Sequence, residues 1–225
     1  DDSLLLDETY FEAGITTQLT PSNAWAGAYL EALPVALLEL RASAQTLTYF
    51  GTFGYLHLTD DTSASSWEVD AISDEIGAGR AASGLMLEAQ ATPRAKVGNV
   101  VFLAPTQLRH IDMRLDTTYY ESTFDWLLEP TDTYWLTSPT LGYVFELPEH
   151  DSWVMAALRW EHSETFGTDL TRDMAALLGL WKMPWAPRPD SVMEMAVIGG
   201  YWANHPNRQN TLYLAGQLTV EWGAK

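Results

Sequence analysis

Residues 212 to 222 read Leu-Tyr-Leu-Ala-Gly-Gln-Leu-Thr-Val-Glu-Trp, so Leu212, Leu214, Gly216, Leu218, Val220 and Trp222 alternate with Tyr213, Ala215, Gln217, Thr219 and Glu221. Successive side chains of a β-strand point to opposite faces, which gives this stretch one apolar and one polar face. A soluble sheet with one wet face and a membrane barrel with a lipid-facing wall both fit.

The same rhythm recurs along the chain. Leu38, Leu40, Ala42 and Ala44 alternate with Glu39, Arg41, Ser43 and Gln45, and Ile111, Met113 and Leu115 alternate with His110, Asp112, Arg114 and Asp116. Leu141, Tyr143, Phe145 and Leu147 oppose Gly142, Val144 and Glu146, while Val154, Ala156, Leu158 and Trp160 oppose Met155, Ala157, Arg159 and Glu161. Met193, Met195, Val197, Gly199 and Tyr201 likewise oppose Glu194, Ala196, Ile198, Gly200 and Trp202. Charge shares a face with Gly, Ala and Ser in nearly every strand, and that placement favours the barrel.

Composition excludes several classes. A hydrophobic fraction of 47% with 12% aromatics rules out a disordered chain, and 225 residues suit one all-β domain, so residues 1–225 are taken as a single domain. Only 12 Lys and Arg against 30 Asp and Glu leave too little positive charge to neutralise phosphates, so nucleic acid is not an expected partner. The absence of cysteine removes disulfides, thiolate metal sites and cysteine nucleophiles together. The chain starts Asp1-Asp2, as a secreted protein does after signal-peptide removal. The apolar run Met174 to Trp181 is only eight residues, short of the roughly 18 that a membrane helix needs, so any span is expected to be β.

Turn chemistry divides the chain into ten strands, near 8–19, 24–33, 35–55, 79–92, 98–120, 138–147, 152–163, 172–183, 191–203 and 211–222, with room for two more between 98 and 137. Short turns fall at Leu33-Pro34, Thr92 to Lys96, Pro148 to Asp151 and Pro184 to Asp190. Longer links fall at 20–23, 56–78, 121–137, 164–171 and 204–210, the second of them an expected extracellular loop. Short and long connections alternate, as in single-chain outer-membrane barrels with an even number of strands. Aromatic residues gather near both sets of strand ends. Tyr10, Phe11, Trp153, Trp181, Trp185 and Trp222 lie at one, and Tyr49, Phe50, Tyr119, Tyr120, Tyr134, Trp135, Trp160, Tyr201 and Trp202 at the other.

In alternation and in aromatic belts the chain resembles Gram-negative outer-membrane β-barrel proteins as a class, over essentially its whole length. The resemblance implies an all-β, antiparallel, up-and-down transmembrane barrel of about ten strands, twelve at most. It implies a signal peptide, residence in the bacterial outer membrane, and contact with membrane lipid and lipopolysaccharide. A protein partner would meet the extracellular loops. One departure is that such chains commonly end in an aromatic residue, whereas this one ends Trp222-Gly223-Ala224-Lys225.

The register predicts which charges line the interior: Glu12, Glu31, Glu39, Glu88, Asp112, Asp116, Glu146, Glu161, Glu194 and Glu221, against Arg41, Arg114, Arg159 and Lys182. Leu40, Leu158, Val197, Leu214 and Leu218 are expected on the lipid side. A narrow lumen holds no bulk water, so its charges must pair or hydrogen-bond, and Arg41, Arg114 and Arg159 are each expected beside carboxylates. The expected function is a structural or partner-binding barrel, or a very narrow porin-like channel, without covalent chemistry, cofactor or metal. A soluble all-β ligand-binding protein and an outer-membrane hydrolase are the alternatives.

Hydrolase candidates lie at the outer rim: His162-Ser163 with Glu161, Asp169 and Asp173 in the next loop and His205 in another, while Asp60-Asp61 near His57 loosely echo the paired rim acids and His of outer-membrane aspartyl-type proteases. Neighbours on a strand face opposite ways, so His162 and Ser163 do not make a nucleophile and base pair. The His and Ser two apart that mark outer-membrane lipid acylhydrolases are missing. Asp60, Asp61, Glu68, Asp70, Asp74 and Glu75 form an acidic loop without calcium-loop spacing. Within it Trp67, Val69, Ile72 and Ile76 suggest a short helix capped by Ser65 or Ser66.

Overall fold

Alternation fixes the strands, and proline and glycine cut them. The structure, a computed structural model, describes residues 9–53, 55–59, 79–147, 152–184, 191–206 and 208–222. In chain order the strands are β1 (Tyr10–Leu19), β2 (Asn23–Val35), β3 (Leu38–Phe50), β4 (Leu56–Leu58), β5 (Ala81–Val97), β6 (Val100–Leu103), β7 (Thr106–Met113) and β8 (Tyr119–Glu121). They continue with β9 (Trp126–Leu128), β10 (Thr131–Thr137), β11 (Thr140–Leu147), β12 (Ser152–Thr165), β13 (Thr171–Pro184), β14 (Ser191–Asn204) and β15 (Leu212–Trp222). The chain is all-β and antiparallel, as its sequence predicts.

Two compact units result. The first comprises Asp1–Thr92, Pro105–Thr137 and Ser163–Thr171, and the second Pro93–Ala104, Ser138–His162 and Arg172–Lys225. In the first unit the wall strands follow the order β1-β2-β3-β5-β7-β10, and a small separate sheet has the order β4-β8-β9. In the second the order is β6-β11-β12-β13-β14-β15, with the end of β5 beside β6.

Several turns differ from expectation, each for a local reason. The first connection follows the sequence, because the Thr20 hydroxyl accepts the backbone N–H groups of Ser22 (3.2 Å) and Asn23 (3.0 Å). Pro34 has no N–H to give the ladder, and the β2–β3 register shifts between Ala32 and Val35 instead of breaking. The turn expected at Thr92 to Lys96 lies farther on. β5 runs through Pro93 to Val97, and Gly98, at φ +58°, opens a two-residue hairpin with Asn99. The strand expected over 98–120 is interrupted at Ala104-Pro105, and its partner is interrupted at Ser138-Pro139. The expected link 121–137 holds β9 and β10, and the expected loop 56–78 starts with β4; counting each interrupted pair as one strand returns ten wall strands among the described residues. The acidic residues Asp60 to Glu75, with the helix expected among them, lie outside the described residues, as does the Trp185 side chain.

The faces separate cleanly in the first unit. Phe11, Ile15, Leu19, Leu30, Leu40, Leu85, Leu87 and Leu108 are exposed on one side, whereas Trp25, Leu47, Tyr49, Met86, Ile111 and Met113 are buried on the other. In the second unit Leu141, Tyr143, Phe145, Leu158, Trp160, Leu177, Val197, Leu214 and Leu218 are exposed, opposite buried Met155, Ala157, Met174, Ala176 and Trp202. Every residue assigned to the lipid side from sequence is exposed. The aromatic belts are thinner than expected: Tyr10, Phe11, Phe50, Trp160, Trp181 and Tyr201 are exposed, but Tyr49, Tyr119, Tyr120, Tyr134 and Trp202 are buried.

Gly27 shows how closely the wall strands approach. A Cβ there would lie 2.1 Å from the Ala44 carbonyl oxygen and 2.7 Å from the Gln45 Cα. Both contacts are backbone and cannot rotate away. Gly27→Ala is expected to lower the unfolding free energy by about 1 to 3 kcal/mol, read as a lower denaturant midpoint, whereas an unchanged midpoint would contradict this packing.

Candidate functional site

The face opposite the exposed leucines carries the chemistry. In the first unit β1, β2 and β3 set Glu12, Glu31 and Arg41 in one row, because Glu12 pairs with Glu31 in one register and Glu31 with Arg41 in the next. Two carboxylates side by side repel, and the row answers with donors. Arg41 Nη1 donates to Glu31 Oε2 at 2.8 Å, Tyr10 Oη donates to the other Glu31 oxygen at 2.6 Å, and Tyr29 Oη donates to Glu12. The Arg41 guanidinium also lies over the Tyr29 ring, 4.1 Å from its centroid, so one cation serves a carboxylate and an aromatic face together. Glu39 shares the face of Arg41 two residues away.

A second ion pair sits deeper. β5, β7 and β10 bring Glu88, Arg109 and Tyr134 into register. Arg109 pairs with Glu88, its Nη1 donates to Tyr134 Oη at 2.8 Å, and its guanidinium lies 5.3 Å from the Phe124 ring centroid. Beside it Gln107 donates to Gln90 at 2.7 Å, and Gln90 to Thr92 at 3.0 Å.

Above these pairs lies the largest core of the first unit. Trp25, Leu47, Tyr49, Leu56, Met86, Ile111, Met113, Tyr119, Tyr120, Trp126, Leu127, Leu128 and Tyr134 are all buried in it. The sheet β4-β8-β9 supplies its lid side. Glu121, at the end of β8, is fully buried; its carboxylate accepts the Tyr49 hydroxyl (3.0 Å) and the backbone N–H groups of Thr123 (3.0 Å) and Phe124 (2.6 Å). Burial pushes its carboxyl above the usual range despite these hydrogen bonds, which pull the other way.

In the second unit Arg159 Nη2 donates to Glu161 at 2.8 Å. Glu194 stands opposite Lys182 in the β13–β14 register, and Glu146 is exposed on the face of Gly142 and Val144. Glu221 pairs through its backbone with Val192, and its side chain lies outside the description.

One strand reverses the expected faces. Asp112, Arg114 and Asp116 are exposed, while Ile111 (1% exposed) and Met113 (2%) are buried. Arg114 forms no ion pair among the described residues, and Asp112 accepts the Thr131 hydroxyl at 3.1 Å. The cause is the aromatic core: apolar side chains leave water by turning under β8 and β9, which sends their polar neighbours to the other side.

Among the described rim residues, His162 and Ser163 do not form a nucleophile and base pair. His162 Nδ1 lies 2.8 Å from Asp173 Oδ1, and Asn204 donates to Asp173 Oδ2 at 3.3 Å, but fully buried Ser163 projects from the opposite face of β12. His205 packs edge-on against Trp202 at 4.8 Å and accepts the Arg208 backbone N–H. His57 is buried in β4, Asp169 is exposed, and Asp60-Asp61 lies outside the described residues. Among the described residues no three His, Asp or Glu side chains converge as a metal site requires.

Sequence reading missed Arg109, Phe124 and Glu121. Arg109 was hidden because Leu108 and Ile111 flank its strand segment out of phase. The Glu121 signal, an acid directly after Tyr119-Tyr120, is visible only once burial is known.

No family model and no curated protein matches this chain. Among solved structures it is similar to the in-vitro folded outer membrane protein OmpT of Vibrio cholerae, with a TM-score of 0.43 and 7% identity over 92% of this chain. The chain spans 60% of that protein's length.

The raised Glu121 carboxyl sets a pH dependence. A fold that favours the protonated form contributes most stability below the ordinary value of 4.5 and loses it as pH rises through the raised value. After correction for intrinsic exchange, hydrogen-exchange protection of residues 122–125 is expected to fall as pH rises above 4.5, and Glu121→Gln is expected to flatten that slope. A slope of opposite sign would overturn the burial argument.

Proposed function

We propose that this chain is an integral outer-membrane β-barrel that acts as a structural or partner-binding barrel without covalent chemistry. The observation that carries the reading is the exposed face. Ile15 is 83% exposed, Leu214 78%, Leu177 66% and Leu218 63%, and Leu218 alternates with Gln217 and Thr219, whose side chains hydrogen-bond to each other on the other face. Water penalises such a face, at about 25 cal/mol per Å² of apolar surface, whereas lipid does not.

The apolar stretch has a usable height. From Asp173 to Trp181 the exposed positions of β13 are Ala175, Leu177, Gly179 and Trp181. Eight residues at about 3.3 Å, tilted by about 40°, rise roughly 20 Å, close to the apolar band of such proteins. At its upper limit the exposed face turns polar on neighbouring β12, where Trp160 gives way to His162. In the first unit the exposed face likewise passes from Leu108 to His110 and Asp112, and Trp135 Nε1 donates to Glu164 at 3.2 Å, the placement an interfacial indole favours.

In lipid an open sheet edge leaves N–H and C=O groups unpaired at several kcal/mol each, so this reading requires a wall without free edges. The surroundings it names are membrane lipid and lipopolysaccharide, with a protein partner meeting the loops. The ion pairs Glu31–Arg41 and Glu88–Arg109 between adjacent strands, and Arg159–Glu161 along β12, then neutralise charge on the inward face of the wall.

Solubility and one substitution test this. The chain is expected to need detergent or bilayer to stay monodisperse, and Leu218→Arg to cost about 2 to 4 kcal/mol of folding free energy in lipid. A protein that remains monodisperse in plain buffer, or a cysteine at 218 that reacts with water-soluble maleimide as freely as an unfolded chain, would sink the reading.

A further inference from the structure

The hairpin β8–β9 sits on the polar-paired side of the first unit, not on its exposed apolar side. Phe124, at its tip, lies with its ring 5.3 Å from that of Trp25 on β2 and 5.9 Å from that of Tyr134 on β10. Arg109, anchored by Glu88 and Tyr134, holds its guanidinium toward the same Phe124 ring. At its root Glu121 accepts the hydroxyl of Tyr49 on β3, and the Thr168 hydroxyl donates to the Leu127 carbonyl at 3.0 Å. The tip is therefore clasped from three wall strands and the root from two further places.

The hairpin is also rigid in itself. Asp125 takes the left-handed conformation at φ +55°, which Asp tolerates better than most residues, and Tyr120 Oη donates to its carboxylate at 2.6 Å. Glu121 collects the N–H groups of Thr123 and Phe124, so the turn leaves few donors for water.

We propose that the hairpin 119–128 is a resident plug, latched at its tip by Arg109 and Phe124, that closes the interior of the barrel to small solutes. This rests on the membrane-barrel reading above. A two-stranded ribbon with side chains is about 10 Å across, comparable to the space inside a barrel of about ten strands, so a hairpin docked on the inner wall leaves no continuous water path. The ion pairs below it narrow the passage, but the aromatic core shuts it.

The experiment is conductance of the full chain in planar bilayers, compared with Phe124→Ala and with the four turn residues 122–125 replaced by Asn-Gly, which closes the hairpin with a shorter, two-residue turn. The unmodified protein is expected to insert and stay nearly silent, and either variant to raise conductance by about tenfold or more. Because the chain lacks cysteine, Trp25→Cys with Phe124→Cys gives a clean lock. Conductance is expected to be high before and at baseline after a short bis-maleimide joins the pair.

Large conductance from the unmodified protein overturns the plug, and so do folded, inserted variants that stay silent. Should both tip variants fail to fold, Arg109→Met breaks the latch with the hairpin intact and is judged by the same criterion. Failure of every form to enter a bilayer overturns the membrane reading, and the plug with it, and is distinguished by the lack of insertion itself.

Discussion

The structure depends on the main-chain ladder of an antiparallel sheet whose two faces differ in kind. Backbone N–H and C=O groups must be paired wherever water is excluded, and the ladder pairs them strand by strand. Once paired, the strands impose period two on their side chains, so each face becomes uniform. Here one face holds Ile15, Leu40, Leu158 and Leu214, and the other Glu12, Arg41, Arg109 and Glu161. Charges on the second face have neighbours at fixed register positions, which explains why Glu31 and Arg41, or Glu88 and Arg109, meet without any special loop.

Pairing alone does not make that face neutral. Acids outnumber bases throughout the chain, and the Glu12–Glu31 row shows how the excess is held. Tyrosine hydroxyls stand in for missing cations, with Tyr10 donating to Glu31 and Tyr29 to Glu12, while Arg41 covers the Tyr29 ring. A hydroxyl donor stabilises a carboxylate without adding a charge that must itself be solvated.

The aromatic core of the first unit changes the meaning of an apolar residue. On most strands the apolar positions are the exposed ones, but near β8 and β9 the polar-paired side becomes the dry side. Ile111 and Met113 accordingly bury beneath the hairpin, and Asp112 and Arg114 face outward. The parity of β7 is continuous from Leu108 to Met113, so no bulge is involved; the surroundings change while the strand does not.

The sequence by itself determined the class of structure, because period two in Leu212 to Trp222 and its counterparts needs only local backbone geometry. It also determined which residues share a face, and hence the meeting of Arg41 with Glu31 and of Arg159 with Glu161. Tertiary structure alone decided which face of β7 is dry, where β5 turns, and that residues 119–128 fold back against Trp25 and Arg109. Periodicity fixes relative orientation between neighbours and carries no sign. The sign comes from what packs against the strand, and for β7 that partner is a hairpin that starts several residues farther along the chain.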